Sequence, residues 1–233
     1  MNSQPSINDA LDKLGYTFCR AVVDTYTLGK IIREIEGQVC EMTRAGIRNP
    51  ENRFSSIQDL IQSPTLQAVV RQFLPGKTIP VRSILFDKSA GTDWGVPWHQ
   101  DLTIAVQAKY EIPGFSAWTL KDNVQHVQPP VEIMERMVTL RVHLDDTDAT
   151  NGALRVIPDS HRNQRYSLEA ITNKTSRNSE IICEAKAGDI LVMKPLLLHS
   201  SKKGIATSHR RILHVEYSSD DLPFPLNWQK CGG

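Results

Sequence analysis

The 233-residue sequence contains no run of eighteen apolar residues, and from Met1 to Asp24 polar and charged residues interrupt every short apolar stretch. A membrane span and a secretory leader are both disfavoured, so no membrane partner is expected and the cytoplasm is the expected compartment. Cysteine is sparse. Cys19, Cys40, Cys183 and Cys231 form no C-x-x-C pair and have no zinc-ribbon spacing, which points to reduced thiols and away from a disulfide scaffold or a structural zinc. Cys231-Gly232-Gly233 lacks the prenylation pattern. Charge of one sign is missing too: 27 basic side chains face 26 acidic ones. No overall field favours a polyanion, so nucleic acid is not an expected partner and a small-molecule substrate is. No internal repeat is visible, and nothing in the sequence indicates an oligomeric state.

What is present is ordinary for a soluble globular protein, with 40% hydrophobic and 23% charged residues. The length suits a single domain over 1–233, helical over about 1–75 with a β core over about 80–220. Leu28, Ile31, Ile32, Ile35, Val39 and Met42 recur at spacings of mostly three and four, which predicts an amphipathic helix between Thr25 and Arg44 with Asp24 as its N-cap. A second helical stretch is expected over Ile57–Phe73, broken near Ser63-Pro64 because proline is best tolerated in the first turn of a new helix.

From Ile79 the texture changes to short β-branched runs. Strands are predicted at Val81–Phe86, Thr103–Val106, Met137–Leu144, Ala153–Ile157, Glu180–Glu184, Asp189–Met193 and Arg210–Ser218. The fold class is therefore mainly β, a jelly-roll or cupin-like double sheet with N-terminal helices packed on one outer face. Residues 107–135 and 161–179 read as long connections, the first as a lid over the site.

Trp98-His99-Gln100-Asp101 places an imidazole and a carboxylate two residues apart, on one face of an extended segment. His199 follows the largely apolar run Ile190–Leu198, and a late strand would return it to the same place. Two imidazoles and one carboxylate form the facial set that leaves positions on Fe(II) open for a bidentate co-substrate and O2. Arg210 lies eleven residues beyond His199. On a strand neighbouring that of His199, its guanidinium would fork onto a distal carboxylate, with the Ser201 hydroxyl as a further donor.

Across roughly Ile79–Tyr217 the chain resembles the phytanoyl-CoA dioxygenase family of Fe(II)/2-oxoglutarate oxygenases. The resemblance rests on Leu85-Phe86, Trp98-His99-Gln100-Asp101, Leu144-Asp145-Asp146, the segment Asn151-Gly152-Ala153-Leu154-Arg155-Val156-Ile157-Pro158-Asp159-Ser160-His161, Gly188-Asp189, His199-Ser200-Ser201 and Arg210-Arg211. It implies a double-stranded β-helix, with iron on His99, Asp101 and His199, and the C5 carboxylate of 2-oxoglutarate on Arg210 with Trp118 beside it. Asp159 stands where the family usually has glycine. Because the iron carboxylate is present, the resemblance is to the hydroxylating branch. It implies oxidation of a C–H bond, most simply hydroxylation, with succinate and CO2 released and ascorbate as an accessory reductant.

Arg141, Thr103, Gln125 and His126 are candidates to touch the substrate. Arg141 shares a strand face with Thr139 and His143 that is either solvent or pocket, while Gln125 and His126 have a solvated loop as their plain alternative. Arg211 is expected on a solvated exterior. His143, His161, His209 and His214 are expected in structural roles, and Asp145, Asp146 and Asp148 as turn formers. Two other functions fit the same barrel: a cupin-like metal-binding or regulatory module without turnover, and a metal-dependent isomerase or hydrolase. Neither needs a fixed arginine fork facing a dicarboxylate.

Overall fold

The computed structural model describes residues 6–38, 46–88, 94–162, 165–204 and 209–232. Residues 39–44 of the expected first helix, with Cys40 among them, lie outside the described residues.

The N-terminal part opens with α1 (Ile7–Leu14), capped by Ser6 in a capping box with Asp9, within the region expected to be helical, and runs directly into β1 (Tyr16–Cys19), which was not expected. Next comes α2 (Thr25–Glu36), N-capped by Asp24 as expected, whose side chain accepts from the Thr27 amide at 2.9 Å. After the two-residue strand β2 (Ile47–Arg48), α3 (Ser55–Gln62) and α4 (Pro64–Val70) divide at Ser63, the N-cap of α4.

The strands that follow are β3 (Ile79–Lys88), β4 (Val96–His99), β5 (Ile104–Val106), β6 (Ser116–Lys121) and β7 (Val124–Gln128). After the short helix α5 (Val131–Glu135) come β8 (Met137–His143) and β9 (Leu154–Val156). A last helix, α6 (Leu168–Arg177), precedes β10 (Ile181–Cys183), β11 (Ile190–Met193), β12 (His199–Ser201) and β13 (Arg210–Ser218). They build an antiparallel six-stranded sheet in the order β1-β11-β8-β13-β3-β2 and a four-stranded sheet in the order β10-β9-β12-β4, the two main sheets of the jelly roll. A small sheet follows the order β5-β7-β6.

Alternation divides the six-stranded sheet into two unlike faces. Val138, Leu140 and Val142 on β8, with Leu213, Val215 and Tyr217 on β13, join one buried apolar cluster with Leu28 and Ile31 of α2, Ile57 and Leu60 of α3 and Leu66 of α4. Burial of such side chains, at about 25 cal/mol per Å² of apolar surface, holds the helices to the sheet. The intervening residues Thr139, Arg141, His143, His214 and Glu216 are polar, buried and turned the other way.

Two expected long connections contain regular structure. The long connection 107–135 contains the hairpin β6–β7, whose two-residue turn Asp122-Asn123 has both φ angles positive (47° and 63°). That is the geometry a tight hairpin needs to match strand twist, and Asp and Asn tolerate it better than most residues. The hairpin pairs with β5, so residues 116–121 and 124–128 of the segment expected as a lid are hydrogen-bonded sheet, while 107–115 remain a connection. Residues 161–179 contain α6, none of whose residues is buried. Asp159 lies at φ 61°, a left-handed conformation that glycine takes most easily and aspartate tolerates better than most residues.

Candidate metal centre

His99 ends β4 and His199 begins β12, and the two residues are direct cross-strand partners. Their rings lie 4.1 Å apart centre to centre. Gln100 points away from both and acts as a brace: its amide nitrogen donates to the Leu196 carbonyl at 2.6 Å, and its oxygen accepts from the Tyr166 amide at 2.9 Å. The Asp101 amide donates to the Pro195 carbonyl at 3.0 Å, which holds the carboxylate beside the imidazoles. One nitrogen from each histidine and one oxygen of Asp101 lie within 4.8 Å of one another.

The protonation pattern suits a cation. Nδ1 of His99 lies 2.8 Å from the Pro97 carbonyl, and Nδ1 of His199 lies 2.8 Å from the Leu197 carbonyl. A carbonyl only accepts, so each Nδ1 carries a proton and Nε2 is the nitrogen left to face a cation. Burial pushes His199 down to about 3, with His99 adding to the effect and Asp101 opposing it, so the ring is neutral. Burial alone would raise the Asp101 carboxyl, yet His199, His214, Arg82 and His99 together hold it well below the usual carboxylate range. Its Oδ2 is shielded from solvent, has no hydrogen-bond partner among the described residues and sits 3.8 Å from Nε2 of His199. A buried carboxylate oxygen facing two imidazole lone pairs is costly without a cation, and the residues therefore fit a divalent metal.

Asp101 also lies within 4.8 Å of His214 and Glu216, but those groups are already engaged. Arg141 donates to Nδ1 of His214 at 3.0 Å, so the His214 proton is on Nε2, 3.2 Å from Glu216. Glu216 in turn pairs with Arg82. The chain Arg141–His214–Glu216–Arg82 forms a buried floor behind Asp101. His214 is thus part of the site's support rather than an isolated strand histidine, and the alternation Arg210-Ile212-His214-Glu216 was the available signal.

A cavity of about 400 Å³ opens from His99, Asp101 and His199 and has Arg210, Ser201 and Lys88 in its wall. Arg210 does not sit on a strand adjoining that of His199, as the sequence reading assumed: β13 belongs to the six-stranded sheet and β12 to the four-stranded one. The guanidinium reaches the cavity from the opposite sheet, because the run Ile190–Leu198 is a strand plus a turn that crosses between sheets. Lys88, the register partner of Arg210, donates to Ser201 Oγ at 3.1 Å. The sequence reading missed Lys88. The signal was a lysine ending the long buried strand β3, where a free surface end would otherwise be assumed.

Arg141 lines the cavity, which decides between its two open alternatives. Burial lowers it to about 10, with Asp101 opposing the shift. Thr103 and His126 line a second lobe next to Asp101, and Gln125 is absent from both walls. Trp118 is packed against the apolar cluster containing Ile104, Val106 and Val127 and does not line the cavity, so a place beside the co-substrate has no support here. Arg211 needs correction. It is buried, forks onto Asp145 through two 2.8 Å hydrogen bonds and pairs with Glu36 at 2.8 Å. The end of α2 and the turn after β8 cover this side of β13, so Arg211 is not solvated and Asp145 is more than a turn former.

The family model for phytanoyl-CoA dioxygenase matches residues 11–212. A probable alpha-ketoglutarate-dependent hypophosphite dioxygenase from Stutzerimonas stutzeri is 22% identical over 205 residues, 82% of this chain. The chain spans 62% of the length of that relative. Among solved structures, the non-heme alpha ketoglutarate dependent carbocyclase SnoK from nogalamycin biosynthesis superposes with a TM-score of 0.70 at 12% identity, covering 94% of this chain and 85% of that one. HygX from Streptomyces hygroscopicus, with nickel and 2-oxoglutarate bound, gives 0.63 at 15% identity, covering 89% and 84%.

Proposed function

The chain belongs to the phytanoyl-CoA dioxygenase family, and on that footing we propose that it is an Fe(II)- and 2-oxoglutarate-dependent dioxygenase oxidising a C–H bond of a small molecule. The observation that carries this is the pairing of two imidazole lone pairs and one partnerless carboxylate oxygen with an arginine that enters the same cavity from the opposing sheet. His99, Asp101 and His199 would hold the iron. Arg210, helped by Lys88 and the Ser201 hydroxyl, would anchor the distal carboxylate of 2-oxoglutarate. Iron with 2-oxoglutarate bound supplies O2 activation, coupled to decarboxylation of the keto acid to succinate and CO2.

The chain's own residues bind, orient and exclude water. Gln100 keeps His99 and Asp101 in register, Pro97 and Leu197 carbonyls fix the ligand tautomers, and Ile84, Phe86 and Leu154 give the cavity an apolar wall. The test is 2-oxoglutarate binding to Mn(II)-loaded protein, followed by succinate formation after exchange to Fe(II) in air. Arg210→Lys should weaken binding roughly thirtyfold or more, the effect of losing one partner of a buried charged pair. Tight metal binding without 2-oxoglutarate binding or succinate would instead leave a metal-binding module.

A further inference from the structure

Beyond the metal ligands the cavity continues into a second lobe of about 300 Å³, bounded by β3, the segment after Asp101 and the β6–β7 hairpin. Three cationic side chains, Arg48, Arg82 and Lys121, line it, and Asp101 is the carboxylate in its wall. Arg48 pairs with Asp122, whose side chain is 61% exposed and therefore well screened. Arg82 shares Glu216 with His214, and its Nε is buried with no hydrogen-bond partner among the described residues. The Lys121 side chain makes no hydrogen bond or ion pair among the described residues. The residue is exposed at the hairpin, yet partial desolvation of its ammonium first, then Arg82 and Arg48, hold it below its usual range.

His126 adds a neutral ring to this wall. It is buried, and its Nδ1 donates to the Val124 carbonyl at 3.1 Å, which leaves Nε2 as an acceptor. Burial, followed by Arg82, Lys121 and Arg48, lowers its proton affinity, so it adds no further charge. A cluster of like charges raises the energy of the lobe unless an anion enters it. Asp101 cannot serve as that anion once it ligates a cation. A keto acid anchored at Arg210 leaves its second carboxylate at the metal, not in this lobe.

We propose that this lobe binds the acidic head of the prime substrate, a carboxylate or phosphonate group held by Lys121 and Arg48 against Arg82, so that the substrate class is a small organic anion. The proposal rests on the proposed function, since it assumes that Arg210 and the metal take the co-substrate. Lys121 and Arg48 come from unrelated elements, the hairpin strand β6 and the short strand β2, and converge only at this lobe. The 300 Å³ volume suits a metabolite and leaves no room for a polymer.

The test uses the full chain loaded with redox-inert Mn(II) and saturated with 2-oxoglutarate. Methylphosphonate, propionate and the neutral dimethyl sulfone are titrated while paramagnetic broadening of their methyl signals is followed by NMR. Either or both anions should show saturable broadening, the pattern telling phosphonate from carboxylate preference, and the sulfone should not. Lys121→Met should weaken anion binding about tenfold, Lys121→Arg should retain most of it, and the 2-oxoglutarate dissociation constant should change less than about twofold in both. The hairpin position of Lys121 is exposed, so both variants are expected to fold. The proposal is overturned if neither anion broadens saturably, if the sulfone binds equally well, if Lys121→Met has no effect, or if the anions displace 2-oxoglutarate. Failure of Mn(II)-protein to bind 2-oxoglutarate would overturn the proposed function instead, and the anion titration would still decide the lobe on its own.

Discussion

The two faces of the six-stranded sheet are made by alternate residues of the same strands, yet they have opposite chemistry. Toward the helices, Val138, Leu140 and Val142 are apolar and completely buried; toward the cavity, Thr139, Arg141 and His143 are polar and almost as buried. The outer face holds the fold together through apolar area. The inner face is kept polar at a cost, with Arg141, His214, Glu216 and Arg82 bonded in a chain that still leaves Arg82 Nε and Glu216 Oε2 without partners among the described residues. Stability and chemistry are therefore separable in this molecule one residue at a time.

That separation is tested most severely at the proposed metal ligands. Asp101→Ala should abolish high-affinity Fe(II) binding and succinate formation while metal-free protein still unfolds in one cooperative transition, because the side chain lies at an open cavity that tolerates loss of a polar group. A metal titration and a urea curve on the same sample check both halves, and retained iron affinity would remove Asp101 from the ligand set. Leu140→Ala makes the opposite cut. It should cost about 2–5 kcal/mol of stability through the cavity it leaves, with metal affinity unaltered. A large loss of metal affinity in that variant would show that the two faces are coupled.

The inner face also carries a pH dependence. Burial holds His143 down to about 3, with Arg141 adding to the effect, whereas in the unfolded chain an imidazole titrates near 6.5. Between those values the unfolded state carries the extra proton. Stability from this group is therefore fully present above about pH 6.5 and is lost as pH falls toward 3, about 2 kcal/mol of it by pH 5. Denaturant midpoints at pH 7.5 and 5.0 should converge in His143→Gln relative to the parent; an unchanged difference would place the acid sensitivity elsewhere.

The smallest contrast is between neighbours. Arg211→Lys should leave 2-oxoglutarate affinity unchanged and lower stability by about 1–2 kcal/mol, since a lysine cannot reproduce the fork onto Asp145. If the same substitution weakens 2-oxoglutarate binding more than Arg210→Lys does, the assignment of faces on β13 is reversed.

Much of this was legible because long strands carry a period. β3, β8 and β13 alternate over 10, 7 and 9 residues, enough for pattern to locate them and for the spacing of His99, Asp101, His199 and Arg210 to stand out. β4 and β12, which carry the two histidines proposed to hold the metal, are 4 and 3 residues long, and His199-Ser200-Ser201 has no β-branched residue. Such strands exist because their partners do, and periodicity cannot find them. The hairpin β6–β7 was concealed by Pro113, Gly114 and Pro129-Pro130 at its ends, although Asp122-Asn123 was a turn signal within it. Arg211 was misplaced for a different reason. Alternation tells which side a residue faces and says nothing of whether another element, here the end of α2, covers that side.

The position of β4 has a further consequence. It is the outermost strand of the four-stranded sheet, and its ladder to β12 rests on the pairs His99 with His199 and Val96 with Ser201, with an irregularity between them. An edge strand held this lightly is where local opening is cheapest. A cation shared by His99, Asp101 and His199 would therefore act as a rivet across that ladder, joining segments about a hundred residues apart and shifting the opening equilibrium by mass action. Amide exchange over residues 96–101 then becomes a gauge of metal occupancy, slow in loaded protein and fast in stripped protein, readable without any substrate in hand.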